Sequence, residues 1–351
     1  MVTGTMGSPT TIRIHRVERL NAKAVRVTLD PGENKDLWPN IPGGYLTFCL
    51  PCGDPVMHRS YSLVQAPDAP LPQVVVKEVT SGKGSAFINR HFKEGLELMA
   101  YPPKGRLYPS EWDDAPQHLV LFAGGTGITP LYSVLQHVIQ VHPENEVTLF
   151  YGNRTFQDIL LRQELESWGE HPRVTVRHVL SDGSLDDDLY NGRITESKTE
   201  KLWHSIQSSL PKKAIVCGPK GMRLAVLQGL GNCNVPAEHI RGEDFQHPPH
   251  LKEPLTSTCW ITAKQNGNVI QFPYEPSEEE LIDALMERGI QIASTCRGGV
   301  CGNCRATVTQ GKARVEHSYS LTDDECRQGV VLCCQARPDT SDLHLEFKAG
   351  Q

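Results

Sequence analysis

The sequence predicts a multidomain α/β and β protein: an antiparallel β-barrel, then a parallel α/β domain, then a second, smaller β domain. Three observations carry this expectation. Arg13 to Leu29 alternates, is rich in β-branched residues, and leads into short strand-like stretches separated by Gly and Pro. His118 to Ala123 is an unbroken apolar run that ends in Gly124-Gly125-Thr126-Gly127, after which Leu131, Val134, Leu135 and Val138 recur at helical spacing. Near the C-terminus, Thr258–Ala263 and Asn268–Phe272 flank Asn266-Gly267, a strong hairpin signal. A length of 351 residues has room for two or three domains. The expected partition is a loose tail at 1–10, the barrel at 11–115, the α/β domain at 116–245, a linker at 246–255 and the last domain at 256–351.

Composition excludes several classes. The net charge of −6 disfavours a nucleic-acid partner. No run of about eighteen apolar residues occurs, so no membrane span is expected. Met1 to Thr11 lacks an apolar signal core. The cysteine count is odd, at eleven in a long chain, which argues against a disulfide framework and for a reducing cytoplasm.

In the first domain, Pro42-Gly43-Gly44 marks a turn, and Tyr45–Leu50 and Val74–Val79 read as strands. Ser81-Gly82-Lys83-Gly84-Ser85 opens a helix that is expected to end near Gly95 as its C′ residue. Between them stands Arg59-Ser60-Tyr61-Ser62. This Arg-x-Tyr-Ser, followed by Gly82-x-x-Ser85, resembles the flavin site of the ferredoxin–NADP reductase superfamily. The resemblance implies that Arg59 grips the flavin pyrophosphate, Tyr61 stacks on the isoalloxazine and Ser62 hydrogen-bonds near N5. Gly82 and Ser85 would turn helix N-terminal N–H groups to the phosphates, with Gly84 in the same turn. The Val76 and Lys77 backbone would touch the ring edge. Pro102-Pro103-Lys104-Gly105-Arg106-Leu107 is similar to the turn of FAD rather than FMN members, with Leu107 in place of an aromatic residue. Cys49-Leu50-Pro51-Cys52 is a C-x-x-C pair without a second pair, and coincidence is the preferred reading.

In the second domain, strand, glycine turn and helix make a dinucleotide geometry: the glycines admit pyrophosphate to the backbone and the helix start favours anions. The loop is not Gly-x-Gly-x-x-Gly. With Pro130 it resembles the Gly-Gly-x-Gly-Ile-x-Pro loop of the same superfamily, which would turn Thr126 to the flavin side. Glu146–Tyr151 reads as a strand ending in Gly152-Asn153-Arg154-Thr155, similar to the segment that meets the adenosine ribose. Arg154 and Thr155 would suit a 2′-phosphate, which leans to NADPH over NADH. Val174–Leu180 and Ala214–Cys217 suggest further strands. Cys217-Gly218-Pro219-x-x-Met222 resembles a family motif that places Cys217 by the nicotinamide, with Met222 starting a helix. Glu243 and Phe245 resemble the acid and aromatic that close the domain, the first placing the nicotinamide and the second covering the flavin. Asp186-Asp187-Asp188 reads as a solvated turn.

The proline- and histidine-bearing stretch Gln246–Pro254 reads as a linker. In the last domain, Ser277 with Glu280 reads as a capping box, and Leu281, Leu285 and Arg288 as a helix closed by Gly289. Then come Cys296, Cys301 and Cys304 at C-x4-C-x2-C spacing within a loop bearing Gly298, Gly299 and Gly302, and Cys334 follows. Plant-type [2Fe–2S] proteins use this spacing: three thiolates share one tight loop and a fourth reaches in from elsewhere. A structural zinc site is the alternative, though zinc favours paired short knuckles. Ala306–Thr309 reads as a strand, Thr322 and Glu325 as caps of a short helix, and Val330–Ala336 as a strand carrying Cys334. On a strand, Cys333 and Cys334 would face opposite ways, and the family's Cys-Gln pair matches Cys334-Gln335. Hairpin, helix, cysteine loop and strand are the β-grasp order of plant-type ferredoxins. From Thr256 onward there are nine basic and thirteen acidic residues, an excess suited either to steering a basic acceptor or to solubility.

The order flavin-binding barrel, nucleotide-binding domain and ferredoxin looks like the reductase components of bacterial multicomponent oxygenases. The resemblance implies an NAD(P)H oxidoreductase holding FAD and a [2Fe–2S] cluster, with a terminal oxygenase component of Rieske or di-iron type as partner. No acid–base residue is required for hydride transfer, so no catalytic residue is assigned. Two rivals stand beside this: a self-contained reductase of ferric iron or quinone, and a last domain that is a zinc-bearing docking module.

Overall fold

The structure, a computed structural model, describes residues 9–52, 56–80, 82–105, 107–183, 185–243, 258–275, 280–292, 302, 304–315, 321 and 323–347. The chain divides into two compact units, the larger holding a parallel sheet and most of a barrel, the smaller built mainly from residue 247 onward. Among the described residues no helix is long and apolar enough to cross a membrane.

The barrel has six antiparallel strands: β1 (Thr10–Asn21), β2 (Ala24–Asp30), β3 (Tyr45–Leu50), β4 (Met57–Ser62), β5 (Gln73–Lys77) and β6 (Glu97–Lys104), in the order β4-β3-β6-β1-β2-β5. Among the described residues the two ends of that order are joined at an isolated antiparallel bridge between Leu63 and Val74. The alternation in Arg13–Leu29 is a hairpin, β1 and β2, and it puts Ile12, Ile14, Val27 and Leu29 inside. Helix α1 (Lys83–His91) crosses from β5 to β6. It stops before the expected end. Phe92 turns extended and packs its ring edge-on against Phe48, with centroids 5.4 Å apart. Gly95, at φ +81°, instead gives its N–H to the Ile14 carbonyl at 2.9 Å, so it serves the turn into β6 rather than a helix cap.

The second sheet is parallel throughout: β7 (His118–Gly124), β8 (Glu146–Asn153), β9 (Val174–Leu180), β10 (Lys212–Cys217) and β11 (Ile240–Glu243), in the order β11-β10-β7-β8-β9. Helices α2 (Ile128–Val141), α3 (Arg162–Gly169), α4 (Glu196–His204) and α5 (Lys220–Asn232) connect its strands. Strand order reverses between β7 and β10, the switch point at which doubly wound sheets hold ligands. Helix α2 is buried on nearly every side, eleven residues of its fourteen, because it lies between this sheet and the barrel. One continuous core runs from Val64, Val75 and Leu107 through α2 to Leu119 and Leu149. Polar residues of α2 tie it to the barrel: Ser133 Oγ accepts from the Gly43 N–H at 2.9 Å, and Gln136 Nε2 donates to the Val64 carbonyl at 3.1 Å. Arg26 of β2 also pairs with Glu164 of α3.

The smaller unit has β12 (Cys259–Gln265), β13 (Asn268–Tyr274), α6 (Leu281–Glu287), β14 (Arg305–Gln310), β15 (Ala313–Val315), α7 (Asp323–Arg327), β16 (Val330–Leu332), β17 (Ala336–Pro338) and β18 (Asp342–Phe347). Its main sheet is mixed, in the order β13-β12-β18-β14-β16, with β12 and β18 parallel. Asn266 at φ +51° and Gly267 at φ +83° make the expected hairpin turn. Ser277 lies outside the described residues. Glu280 precedes α6 in extended backbone rather than sitting inside its first turn, and its carboxylate pairs with Arg337 at 3.0 Å. Gly289, at φ +93°, closes the helix as expected. Thr322 also lies outside the described residues.

Candidate functional site

The sequence-predicted residues gather in four places. At the carboxyl end of β7, the Gly124–Gly127 loop interlocks with the end of β10. A Cβ on Gly127 would lie 2.0 Å from the Cys217 carbonyl oxygen. A Cβ on Gly124 would meet Pro219 at 2.7 Å and Met222 Sδ at 2.8 Å. Gly124, Gly127, Cys217, Gly218, Pro219 and Met222 thus form one close-packed crevice, and Pro130 is buried in the first turn of α2. Met222 is the third residue of α5 rather than its first. Gly125 takes φ +54°, which a residue with a Cβ resists. Thr126 spends its carbonyl on the Thr129 hydroxyl at 2.9 Å.

Tyr151 escapes sequence reasoning. Its fully buried ring sits in β8, and its hydroxyl donates to the Gly125 carbonyl at 2.8 Å while accepting from the Leu160 N–H at 3.3 Å. It braces the loop from behind, and burial pushes its phenol above the ordinary range. No local pattern marks it, because a parallel strand covered on both faces reads as uniformly apolar.

Beyond β8 and β9, the ladder continues: Ser181 N–H donates to the Asn153 carbonyl at 3.0 Å and Asp182 N–H to the Arg154 carbonyl at 2.9 Å. Arg154 Nε donates to the Asp182 carboxylate. Thr155 Oγ1 donates to Asp158 at 3.0 Å, and Lys77 Nζ lies 3.5 Å from the same carboxylate. Burial pushes the Asp158 carboxyl up, but Thr155 and Lys77 outweigh it and hold it below the ordinary value. Both groups expected to meet a 2′-phosphate therefore already face carboxylates. Asn153 is buried beside the Tyr151 hydroxyl, which donates to Gly125.

On the barrel, Tyr61 leans on Phe48 with centroids 5.7 Å apart, and Ser62 is buried next to it. Arg59 is exposed and donates to the His58 carbonyl at 2.7 Å; Ser60 is half-buried. Gly82 stands at the N-cap of α1, so the N–H groups of Lys83, Gly84 and Ser85 have no helical partner. Ser85 Oγ accepts from Val79 N–H and donates to the Gly82 carbonyl, both at 3.2 Å, which fixes the loop before the helix. Asn89 is a second residue that no motif points to. Its buried amide donates to the carbonyls of Val76 at 3.1 Å and Ser85 at 3.0 Å, locking α1 to β5. Burial pushes the Cys49 thiol up to about 11, which keeps it protonated at neutral pH.

In the smaller unit, Cys304 Sγ lies 3.3 Å from Cys334 Sγ, and both residues are buried. Cys296 and Cys301 lie outside the described residues, as does Phe245; of Glu243 the backbone closes β11. Cys333 to Gln335 form a turn after β16, not a strand. The opposite-faces argument therefore does not apply. Both cysteines are buried, and what separates them is that Cys333 N–H donates to the Cys304 carbonyl at 2.8 Å while the Cys334 sulfur meets the Cys304 sulfur. Burial also drives the Cys333 thiol well above its ordinary value. Paired sulfurs at this separation fit thiolates that converge on a shared cluster, a role for which soft sulfur donors are suited.

Residues 121–228 match the family model described as the oxidoreductase NAD-binding domain, and residues 263–339 match that of the 2Fe-2S iron-sulfur cluster binding domain. The chain is 30% identical over 347 residues to a component of the 1,2-phenylacetyl-CoA epoxidase of Escherichia coli (strain K12), covering 96% of this chain and 97% of that one. It is 29% identical over 334 residues to the 3-ketosteroid-9-alpha-monooxygenase ferredoxin reductase component of Rhodococcus rhodochrous, covering 90% of each. Among solved structures, phthalate dioxygenase reductase superposes with a TM-score of 0.63 at 20% identity, covering 97% of this chain and 98% of that one, a likeness of fold.

Proposed function

This chain belongs to the family of ferredoxin–NADP reductase-like NAD(P)H oxidoreductases with a C-terminal [2Fe–2S] ferredoxin domain, and on that premise we propose that it serves a terminal oxygenase component as its electron donor. When bound, FAD takes the electron pair of a nicotinamide hydride, and a [2Fe–2S] cluster takes electrons singly and releases them to a protein acceptor. The chain's own residues do the rest. The interlocked crevice of Gly127, Cys217 and Gly218 would hold the nicotinamide half in place, since hydride transfer needs position and no proton donor. Glu243 and Phe245 would help close that side. Tyr61 and Ser62 would carry the flavin ring, with Arg59, Ser60, Gly82, Gly84 and Ser85 toward its phosphates. Asn89 would keep Val76 and Lys77 at the ring edge by fixing β5 to α1. Cys296, Cys301, Cys304 and Cys334 would ligate the cluster.

One observation carries the reading: the two buried sulfurs of Cys304 and Cys334, 3.3 Å apart, on a chain that also owns a dinucleotide crevice. Thiolates kept for a cluster suit a reducing cytoplasm. The partner would be an oxygenase component, as the relatives' names, an epoxidase and a monooxygenase, suggest, and the sequence resemblance points to one of Rieske or di-iron type. The test is NADH-driven reduction of cytochrome c by the purified holoprotein and by its Cys334→Ser variant. The variant is expected to lose cytochrome c reduction while NADH still bleaches the flavin; unchanged turnover would contradict the ligand assignment.

A further inference from the structure

The Arg154–Asp182 pair bears on which nicotinamide nucleotide the crevice accepts. NADPH differs from NADH by one phosphate on the adenosine ribose, so discrimination is decided by the charges that meet that ribose. A dinucleotide with its pyrophosphate on the Gly125–Gly127 loop spans the carboxyl edge of the sheet. One half would lie over β10, where Cys217 and Gly218 close on Gly127, and the other over the ends of β8 and β9. Those ends present Asn153, Arg154, Thr155, Ser181 and Asp182. The Asn153 side chain is buried at this edge.

The cations Arg154, Lys77 and Arg162 each face a carboxylate there. Arg154 is bound by Asp182, and the backbone bond between them holds the two in register. Thr155 is bound by Asp158, whose other partner is Lys77. Arg162 pairs with Glu166 at 2.8 Å. An incoming 2′-phosphate would meet an Arg154 whose charge is already offset by Asp182, and would sit beside that carboxylate. A 2′-hydroxyl meets no such opposition and has a carboxylate to donate to.

We infer that Asp182 makes this protein select NADH over NADPH, the carboxylate both masking Arg154 and rejecting a 2′-phosphate. The inference rests on the reductase reading and adds the substrate to it. Its test is equilibrium binding of NAD⁺ and NADP⁺ to the oxidised, FAD-loaded chain by calorimetry, alongside kcat/KM for NADH and NADPH. The wild type should favour NAD⁺ and NADH by about tenfold or more, as expected for juxtaposed like charges. Asp182→Asn keeps the shape, unmasks Arg154 and should shift both ratios toward the phosphorylated nucleotide by about tenfold. Asp182→Asn combined with Arg154→Ala should lose that gain. Wild-type protein that binds NADP⁺ as tightly as NAD⁺, or an Asp182→Asn ratio within twofold of wild type, overturns the inference and leaves the reductase reading standing. Binding of neither nucleotide overturns both.

Discussion

Substituting Gly127 by alanine probes the crevice with a single methyl group. Gly127 has an ordinary helical backbone, φ −62° and ψ −10°, so the change carries no conformational penalty of its own. The cost is contact. The new Cβ would lie 2.0 Å from the Cys217 carbonyl oxygen, 2.4 Å from its carbon and 2.8 Å from the Gly218 nitrogen. All three are backbone atoms and none can rotate away. Cβ atoms do not approach closer than 3.0 Å, so the ends of β7 and β10 must part by about 1 Å. Overpacking of this kind costs about 1–3 kcal/mol, a Tm loss of about 2–10 °C for a unit of this size. The same displacement moves the nicotinamide, and misplacing reactants by about 1 Å lowers rates by about 10²-fold. Stopped-flow reduction of the flavin by NADH measures this, with Tm and flavin content measured on the same sample. Flavin reduction within about twofold of wild type, with an unshifted Tm, would refute the claim that this crevice positions the nicotinamide.

Tyr151→Phe removes the bond to Gly125 and strands the Leu160 N–H, which should cost about 1–3 kcal/mol and weaken NAD⁺ binding; thermal unfolding at wild-type Tm would contradict the bracing role. Cys333→Ala should retain the visible cluster spectrum that Cys334→Ser loses, and the reverse result would exchange their assignments. Burial holds the His178 imidazole below its ordinary value of 6.5, so the folded protein binds fewer protons there than the unfolded chain. That contribution is present above 6.5 and is lost as pH falls through the depressed folded value. His178→Phe, set between Tyr151 and Phe156, should therefore flatten the loss of stability between neutral and mildly acidic pH, read by denaturant midpoints; a slope equal to wild type would contradict it.

Much of the site is legible in the sequence because its chemistry is local. The cysteine spacing, the Gly124–Gly127 loop, Cys217-Gly218-Pro219 and the Asn266-Gly267 turn each need particular residues at short, fixed separations. What escapes depends on partners far along the chain. Asn89 matters because it reaches Val76, and Tyr151 because it reaches Gly125. Ser133 and Gln136 look like interruptions of an apolar helix until the barrel supplies Gly43 and Val64. Gly95 invites a cap reading since glycine at a helix end usually is one, but the ring of Phe92, packed on Phe48, has already ended the helix. Cys333 and Cys334 look like strand residues from their apolar neighbours, whereas Gln335 N–H turns back to the Leu332 carbonyl at 2.8 Å and makes a turn of them. The lean of Arg154 to a 2′-phosphate takes no account of Asp182, which only the β8–β9 pairing brings beside it.

One polypeptide is to pass electrons from a nicotinamide through a flavin to an iron–sulfur centre. Anaerobic addition of NADH to the purified protein, followed by low-temperature electron paramagnetic resonance and iron and sulfide analysis, tests it most directly. A rhombic signal of a reduced cluster, with about two irons and two sulfides per chain, is expected. A sample whose flavin is bleached by NADH but which gives no such signal, or which carries zinc instead of iron, would contradict it.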